Sequence, residues 1–203
     1  QDGTQVRPGV PRFEPGKFGQ AIMVEEGTTN LFDTYGLMNA DSNSDGVVDG
    51  FTSYKRNTTV IDGTFSLDIT KNAQKITVTV NNATGTTDYI GVYRQISVTA
   101  GDVITFSAEF ATDNTGLGFN FWLAGNTGYL TQSPQIFPSS VGTFQRVTWT
   151  YTVPSGITFL NVYLQVIANA GVKGNWWCRK AQAEKKPYAT SFIDGTRSPE
   201  TLT

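Results

Sequence analysis

The sequence contains no histidine. That absence excludes Ser-His-Asp and Cys-His nucleophilic catalysis, and with them His-ligated zinc. There is one cysteine, Cys178, so no disulfide can close within the chain. A single Cys inside an apolar, aromatic stretch reads as a small buried hydrophobe. Charge is sparse: 16% of residues are Asp, Glu, Lys or Arg, and the net charge is −2. No basic patch is dense enough to neutralise a phosphate backbone, which argues against nucleic acid as a partner. No apolar run approaches the roughly 20 residues that cross a bilayer, so no membrane partner is expected. No secretory leader opens the chain, which reads as an excised fragment or a processed product. No stretch keeps a 3.6-residue period for three helical turns.

What remains is a chain of 203 residues, 38% hydrophobic and 12% aromatic, rich enough to bury a core. Its period is two. "KITVTV" sets Ile76, Val78 and Val80 against Thr77 and Thr79. "DVITFSAEFAT" sets Ile104, Phe106, Ala108 and Phe110 against Thr105, Ser107 and Glu109. "FQRVTWTYTV" and "FLNVYLQVIA" alternate in the same way, and "NWWCRKAQAE" is the last long strand. Turn signals such as "TAGD", "DNTG", "AGNTG" and "PSG" separate the runs. The pattern predicts an all-β fold, an antiparallel β-sandwich. Residues 1–28 hold three of the eight prolines and five glycines, and read as a linker or the tail of a preceding module. Within them "KFGQAIMVEE" can form one short strand. The sandwich is expected over 29–193, with 194–203 as a connector to a following module.

One short stretch concentrates oxygen ligands: "DSNSDGVVDG", residues 41–50. It matches the first six positions of the D-x-[DN]-x-[DN]-G calcium loop. Asp41, Asn43 and Asp45 are the first three candidate ligands, and Gly46 allows the sharp turn. The Val47 carbonyl follows, and Asp49 binds directly or through water. The twelfth position is Thr52 rather than a glutamate and no helices flank the loop, so this is not an EF-hand. The missing oxygens are expected from backbone carbonyls near the start of the sandwich or from Glu184. Without a metal the same residues make an Asx-rich turn. Three carboxylates within nine residues repel one another unless a cation sits among them, and this points to a structural Ca2+.

"NLF", "ADSNSDGVVDGF" and "WWCRKAQAEKKPYATSFIDGTR", spread over 30–197, resemble the jelly-roll carbohydrate-binding modules of bacterial glycoside hydrolases and phage or prophage tail and surface proteins. Phe51 stands where that family typically carries tryptophan. The flank "FEPGKFGQAIMVEEGTTNL" looks like the end of a laminin-G or concanavalin-like module, and "SPETLT" like the entry to another. The resemblance implies a jelly roll, neighbouring modules of the same chain as partners, and a place outside the cell, on its surface or on a virion.

A protein that holds sugar sets flat aromatic rings under the pyranose and planar amides or carboxylates at its rim. Strand alternation nominates groups that point away from the core: Tyr93, Gln95, Glu109, Asn120, Trp122, Tyr163 and Gln165. Trp176 and Trp177 are adjacent, so one points inward and the other is a second candidate platform. The function read from the chain is therefore a non-catalytic module that binds an oligo- or polysaccharide, with a structural calcium. The alternative is a structural or adhesive module of a phage tail or surface protein with no sugar site, favoured if Trp122 and Tyr163 are buried.

Overall fold

A computed structural model describes residues 27–82 and 89–197 in full, and the backbone of Arg12–Gly16 and Gly19–Met23. These last two segments, β1 and β2, pair as an antiparallel hairpin. The linker expected over 1–28 and the connector expected over 194–203 otherwise fall largely outside the described residues.

Every long period-two run is a strand: β5 (Ile61–Asp68), β6 (Ala73–Asn81), β7 (Ile90–Ser97), β8 (Val103–Thr112), β9 (Leu117–Gly125), β11 (Gln145–Thr152), β12 (Phe159–Ala168) and β13 (Gly174–Glu184). Shorter strands are β3 (Thr28–Thr29), β4 (Thr52–Lys55), β10 (Gly128–Gln132) and β14 (Thr196–Arg197). Among the described residues the helical content is one 3-10 turn, Asp33–Leu37, and no helix is long and apolar enough to cross a membrane.

The pairing is nested. β9 pairs with β10, β8 with β11, β7 with β12 and β6 with β13, all antiparallel. This is one long double ribbon, and it rolls up so that β12 also meets β9 and β13 also meets β8. Two five-stranded sheets result, β10-β9-β12-β7-β4 and β11-β8-β13-β6-β5. The chain is a jelly-roll β-sandwich. The apolar sets predicted by alternation meet between the sheets: Ile104, Phe106, Ala108 and Phe110 face Phe119, Phe121, Leu160, Val162 and Leu164, all fully buried or nearly so. Phe51 belongs to this core and packs on Phe32, ring centroids 5.7 Å apart.

Two bulges change which side chains point inward. In β13 the register slips between Arg179 and Gln182, and Lys180 takes a left-handed φ of 50°. Before the slip Trp176 and Cys178 face the core; after it Ala181 and Ala183 do, and Gln182 and Glu184 face the other way. In β10 the register slips between Tyr129 and Thr131. Without that slip Tyr129 and Gln132 would point to opposite sides; with it both lie on the outer face, opposite Ala124 and Trp122.

The two ends of the sandwich are joined. Thr28–Thr29 pairs with Thr196–Arg197, so pairing continues into the segment read as a connector. Asn30 sits behind this clasp: its amide nitrogen donates to the Ala181 and Ile193 carbonyls, and its amide oxygen accepts from the backbone N–H of Phe32 and Ala183.

Candidate functional site

The outer face of the β10-β9-β12-β7-β4 sheet is built in rows, because residues in register share a face. One row runs Gln132, Trp122, Tyr163, Tyr93, Thr52 across all five strands. To one side lie Ala124, Asn161 and Gln95; to the other lie Asn120, Gln165, Gly91 and Tyr54. Alternation in β7, β9 and β12 predicted Tyr93, Gln95, Asn120, Trp122, Tyr163 and Gln165 on outward faces, and the roll brings these six together.

The aromatic rings pack on each other. Tyr163 is the hub: Tyr93 stacks on it at 4.7 Å, while Trp122 and Tyr54 meet it edge-on at 4.6 and 4.9 Å. These neighbours leave Tyr163 only 8% exposed, so it props the others rather than offering a platform. Burial, and then the nearby Tyr54 and Tyr93, push its phenol up to about 12. Trp122, Tyr93 and Tyr54 stay half-buried, and Tyr129, tilted against Trp122 at 5.2 Å, is exposed.

The amides divide into two kinds. Gln95 donates to the Asn161 oxygen at 3.2 Å, at the exposed margin. Asn120 and Gln165 are fully buried, lie opposite each other in register, and both ends of both amides lack a hydrogen-bond partner. A buried amide without a partner is costly, so native proteins rarely keep one unless water or a ligand completes it. Across the aromatic row from them, on the side of Gln95 and Asn161, a cleft of about 440 Å³ is lined by Gly50, Thr52, Tyr93, Arg94, Gln95 and Asn161.

Three nominated residues are elsewhere. Glu109 is on β8, in the other sheet, where Arg179 at 2.8 Å and Lys180 at 3.2 Å hold it. Trp176 is fully buried and stacks on Phe119 in the core. Trp177 points outward as its neighbour requires, but from the second sheet. It donates to Asp68 at 2.8 Å, packs beside Ala73, Ala111 and Phe144 under Lys71, and is 7% exposed, too covered to stack a sugar. Alternation tells inward from outward within a strand; it does not tell which of two sheets the strand joins. Tyr54, Asn161, Tyr129 and Gln132 were absent from the nominated set. Asn161 was legible from the β12 alternation, Tyr54 lies on a short strand without a clear period, and the β10 bulge hides the other two.

The acidic loop is tied to the edge of the other sheet. Val47 and Val48 turn their side chains into the core. The fully buried Gln74 accepts from the Val48 N–H and donates to the Gly46, Ser66 and Lys75 carbonyls. Gly46 has φ +85°, and a Cβ there would collide with the Phe65 carbonyl. Inside the loop, Asp41 accepts from the Asp45 and Gly46 N–H groups, Asp45 from Val47 N–H and the Asn43 amide, and Asp49 from Ser42 N–H and its hydroxyl. The Ser42 hydroxyl and then its N–H hold the Asp49 carboxyl below the usual range. Among the described residues no three acidic, His or Cys side chains converge as a metal-holding group. Glu184 is no part of this loop: it is buried near the far end of β13, where Thr28 and Thr190 occupy its oxygens.

No protein-family model matches the sequence, and no curated protein matches it. Solved structures do. A Stig cyclase, Fisc, from Fischerella sp. TAU, in complex with (3Z)-3-(1-methyl-2-pyrrolidinylidene)-3H-indole, is 9% identical with a TM-score of 0.56, over 85% of this chain and 100% of that one. An arabinose-bound α-L-arabinofuranosidase is 10% identical with a TM-score of 0.50; the match covers 90% of this chain but only 29% of the enzyme. A CBM4 structure is 14% identical with a TM-score of 0.49, over 73% of this chain and 92% of that one. At these identities the likeness concerns the fold, a two-layer jelly roll.

Proposed function

We propose that this protein is a non-catalytic carbohydrate-binding module whose ligand lies on the outer face of the β10-β9-β12-β7-β4 sheet. The observation that carries the reading is the aromatic row. Trp122 and Tyr93 flank the buried Tyr163 across three adjacent strands, with the accessible amides of Gln95 and Asn161 along one side of the row. A sugar presents an apolar ring face and a hydroxyl rim, which this alternation of rings and amides complements. The reading without a sugar site is weaker, because Tyr163 alone is buried while Trp122, Tyr93 and Tyr54 keep accessible ring area.

The test is calorimetry against a panel of plant, bacterial and algal polysaccharides, with the Trp122→Ala variant alongside. Losing a stacking anchor costs about 2 kcal/mol, a drop in affinity of about thirtyfold. Binding by no polysaccharide in the panel, or equal binding by Trp122→Ala, overturns the proposal.

We also propose a structural calcium at the 41–49 loop. Its support is the donor set: Asp41, Asn43, Asp45 and Asp49 offer hard oxygens of the kind calcium takes. In this arrangement a cation competes with Ser42 for Asp49. Millimolar calcium is expected to raise the melting temperature, and Asp45→Asn to abolish the rise; a melting curve indifferent to calcium and chelator overturns it.

A further inference from the structure

Arg94 is a cation that no acidic side chain among the described residues pairs with. Alternation along β7 puts it on the inward side with Ile90, Val92 and Ile96. β12 flanks Arg94 on one side through Val162, but β4 begins at Thr52, opposite Tyr93, so no strand covers the other side and its side chain can round the sheet edge. There one guanidinium nitrogen donates to the Gly50 carbonyl at 2.6 Å, and the group lies over the Tyr35 ring, 4.4 Å from its centre. The Nε is buried and has no hydrogen-bond partner. No ion pair among the described residues includes Arg94: Lys55 pairs with Asp62, Arg179 and Lys180 with Glu109, and Lys185 with Asp102. Asp49, next to Gly50 in the chain, is held by Ser42 instead.

Arg94 lines the cleft beside the aromatic row, and every other lining residue there, Gly50, Thr52, Tyr93, Gln95 and Asn161, is neutral. In a molecule of net charge −2 this is a local positive site that no ion pair among the described residues neutralises. Guanidinium is weakly hydrated and presents a planar fork of donors that matches a carboxylate. Its position beside Tyr93 lets one ring stack while its carboxyl group reaches the fork.

We propose that the glycan is acidic: a uronate-bearing polysaccharide whose carboxylate pairs with Arg94 while the sugar ring lies on Tyr93. This rests on the carbohydrate-binding reading and narrows it. The Gly50 contact and the Tyr35 stack hold the guanidinium in place before the ligand arrives, so little ordering is required on binding.

The experiment compares three polymers by calorimetry: polygalacturonate, the same polymer with its carboxyl groups reduced to primary alcohols, and dextran sulfate. Wild type is expected to bind polygalacturonate at least about tenfold more tightly than the reduced polymer, with affinity falling as salt rises. Arg94→Gln is expected to erase that preference, weakening the native polymer much more than the reduced one. Thermal melts of the variant check that the Gly50 loop stays folded, and Arg94→Lys, which keeps the charge but loses the fork, is expected to recover only part of the preference. Equal binding of native and reduced polymer by wild type overturns this proposal and leaves the carbohydrate reading standing. Tighter binding of dextran sulfate than of polygalacturonate also overturns it, since the site then takes sulfate. Binding of none of the three removes the acidic glycan; whether the broader reading falls too is decided by the neutral members of the panel above.

Discussion

At the scale of single residues the site is a contrast between satisfied and unsatisfied amides. Gln74 makes four hydrogen bonds and is fully buried; Asn120 and Gln165 are equally buried and make none. Each orphaned buried amide costs about 1–3 kcal/mol. Gln165→Leu is therefore expected to raise the urea midpoint, by about 1 kcal/mol of stability. A midpoint that falls instead places an ordered water on that amide. Much of this was legible in advance. Trp122, Tyr163 and Gln165 were assigned their side of the strand by period alone, because a pleated backbone leaves no other choice. What alternation could not say is that Tyr163 would be enclosed by three other rings, since that depends on which strands become neighbours.

At the scale of elements the informative features are the places where the period breaks. The β13 bulge moves Glu184 off the parity of Trp176 and Cys178, and the β10 bulge delivers Tyr129 and Gln132 to the face of Trp122. Neither slip has a marker in the sequence, because Lys180 takes its left-handed backbone without being a glycine. The acidic loop is the opposite case: "DSNSDG" announced a tight turn, and Gly46 sits at its left-handed position. Gly46→Ala combines an unfavourable φ with a Cβ driven at the Phe65 carbonyl. It is expected to destabilise the chain by more than about 1 kcal/mol, which for a domain of this length lowers the melting temperature by at least about 2–4 °C. A melting temperature equal to that of wild type contradicts the packing described for the loop.

At the scale of the whole molecule, stability has an edge at each end of the pH range. The Lys55 ammonium and then the Gly63 N–H hold Asp62 below its ordinary 3.8, and Lys185 and then Thr99 do the same for Asp102. Their contribution is complete above the unfolded value and is lost as pH falls through the lower folded values. Tyr163 works in reverse: its folded pKa of about 12 exceeds the ordinary 10.0, so its share is intact below the unfolded value and is lost as pH rises toward the folded one. Urea midpoints are expected to hold between these edges and fall beyond both. Tyr163→Phe is expected to soften the alkaline fall and leave the acid one unchanged; an identical alkaline limb shows that Tyr163 does not set it. The overall architecture was readable as a sandwich because several long runs share one period. The order of strands within each sheet was not, because rolling a ribbon is a long-range event with no local signature.

The clasp of Thr28–Thr29 on Thr196–Arg197 also has a mechanical side. A pull on the chain at Thr28 and Arg197 enters both arms of this antiparallel pair from the same end. It therefore unzips them one hydrogen bond at a time rather than shearing them together. Asn30, bonded to Ala181, Ala183 and Ile193, is the next stop. Tension applied across this pair is absorbed there first, far along the chain from the strands that carry Trp122 and Tyr93.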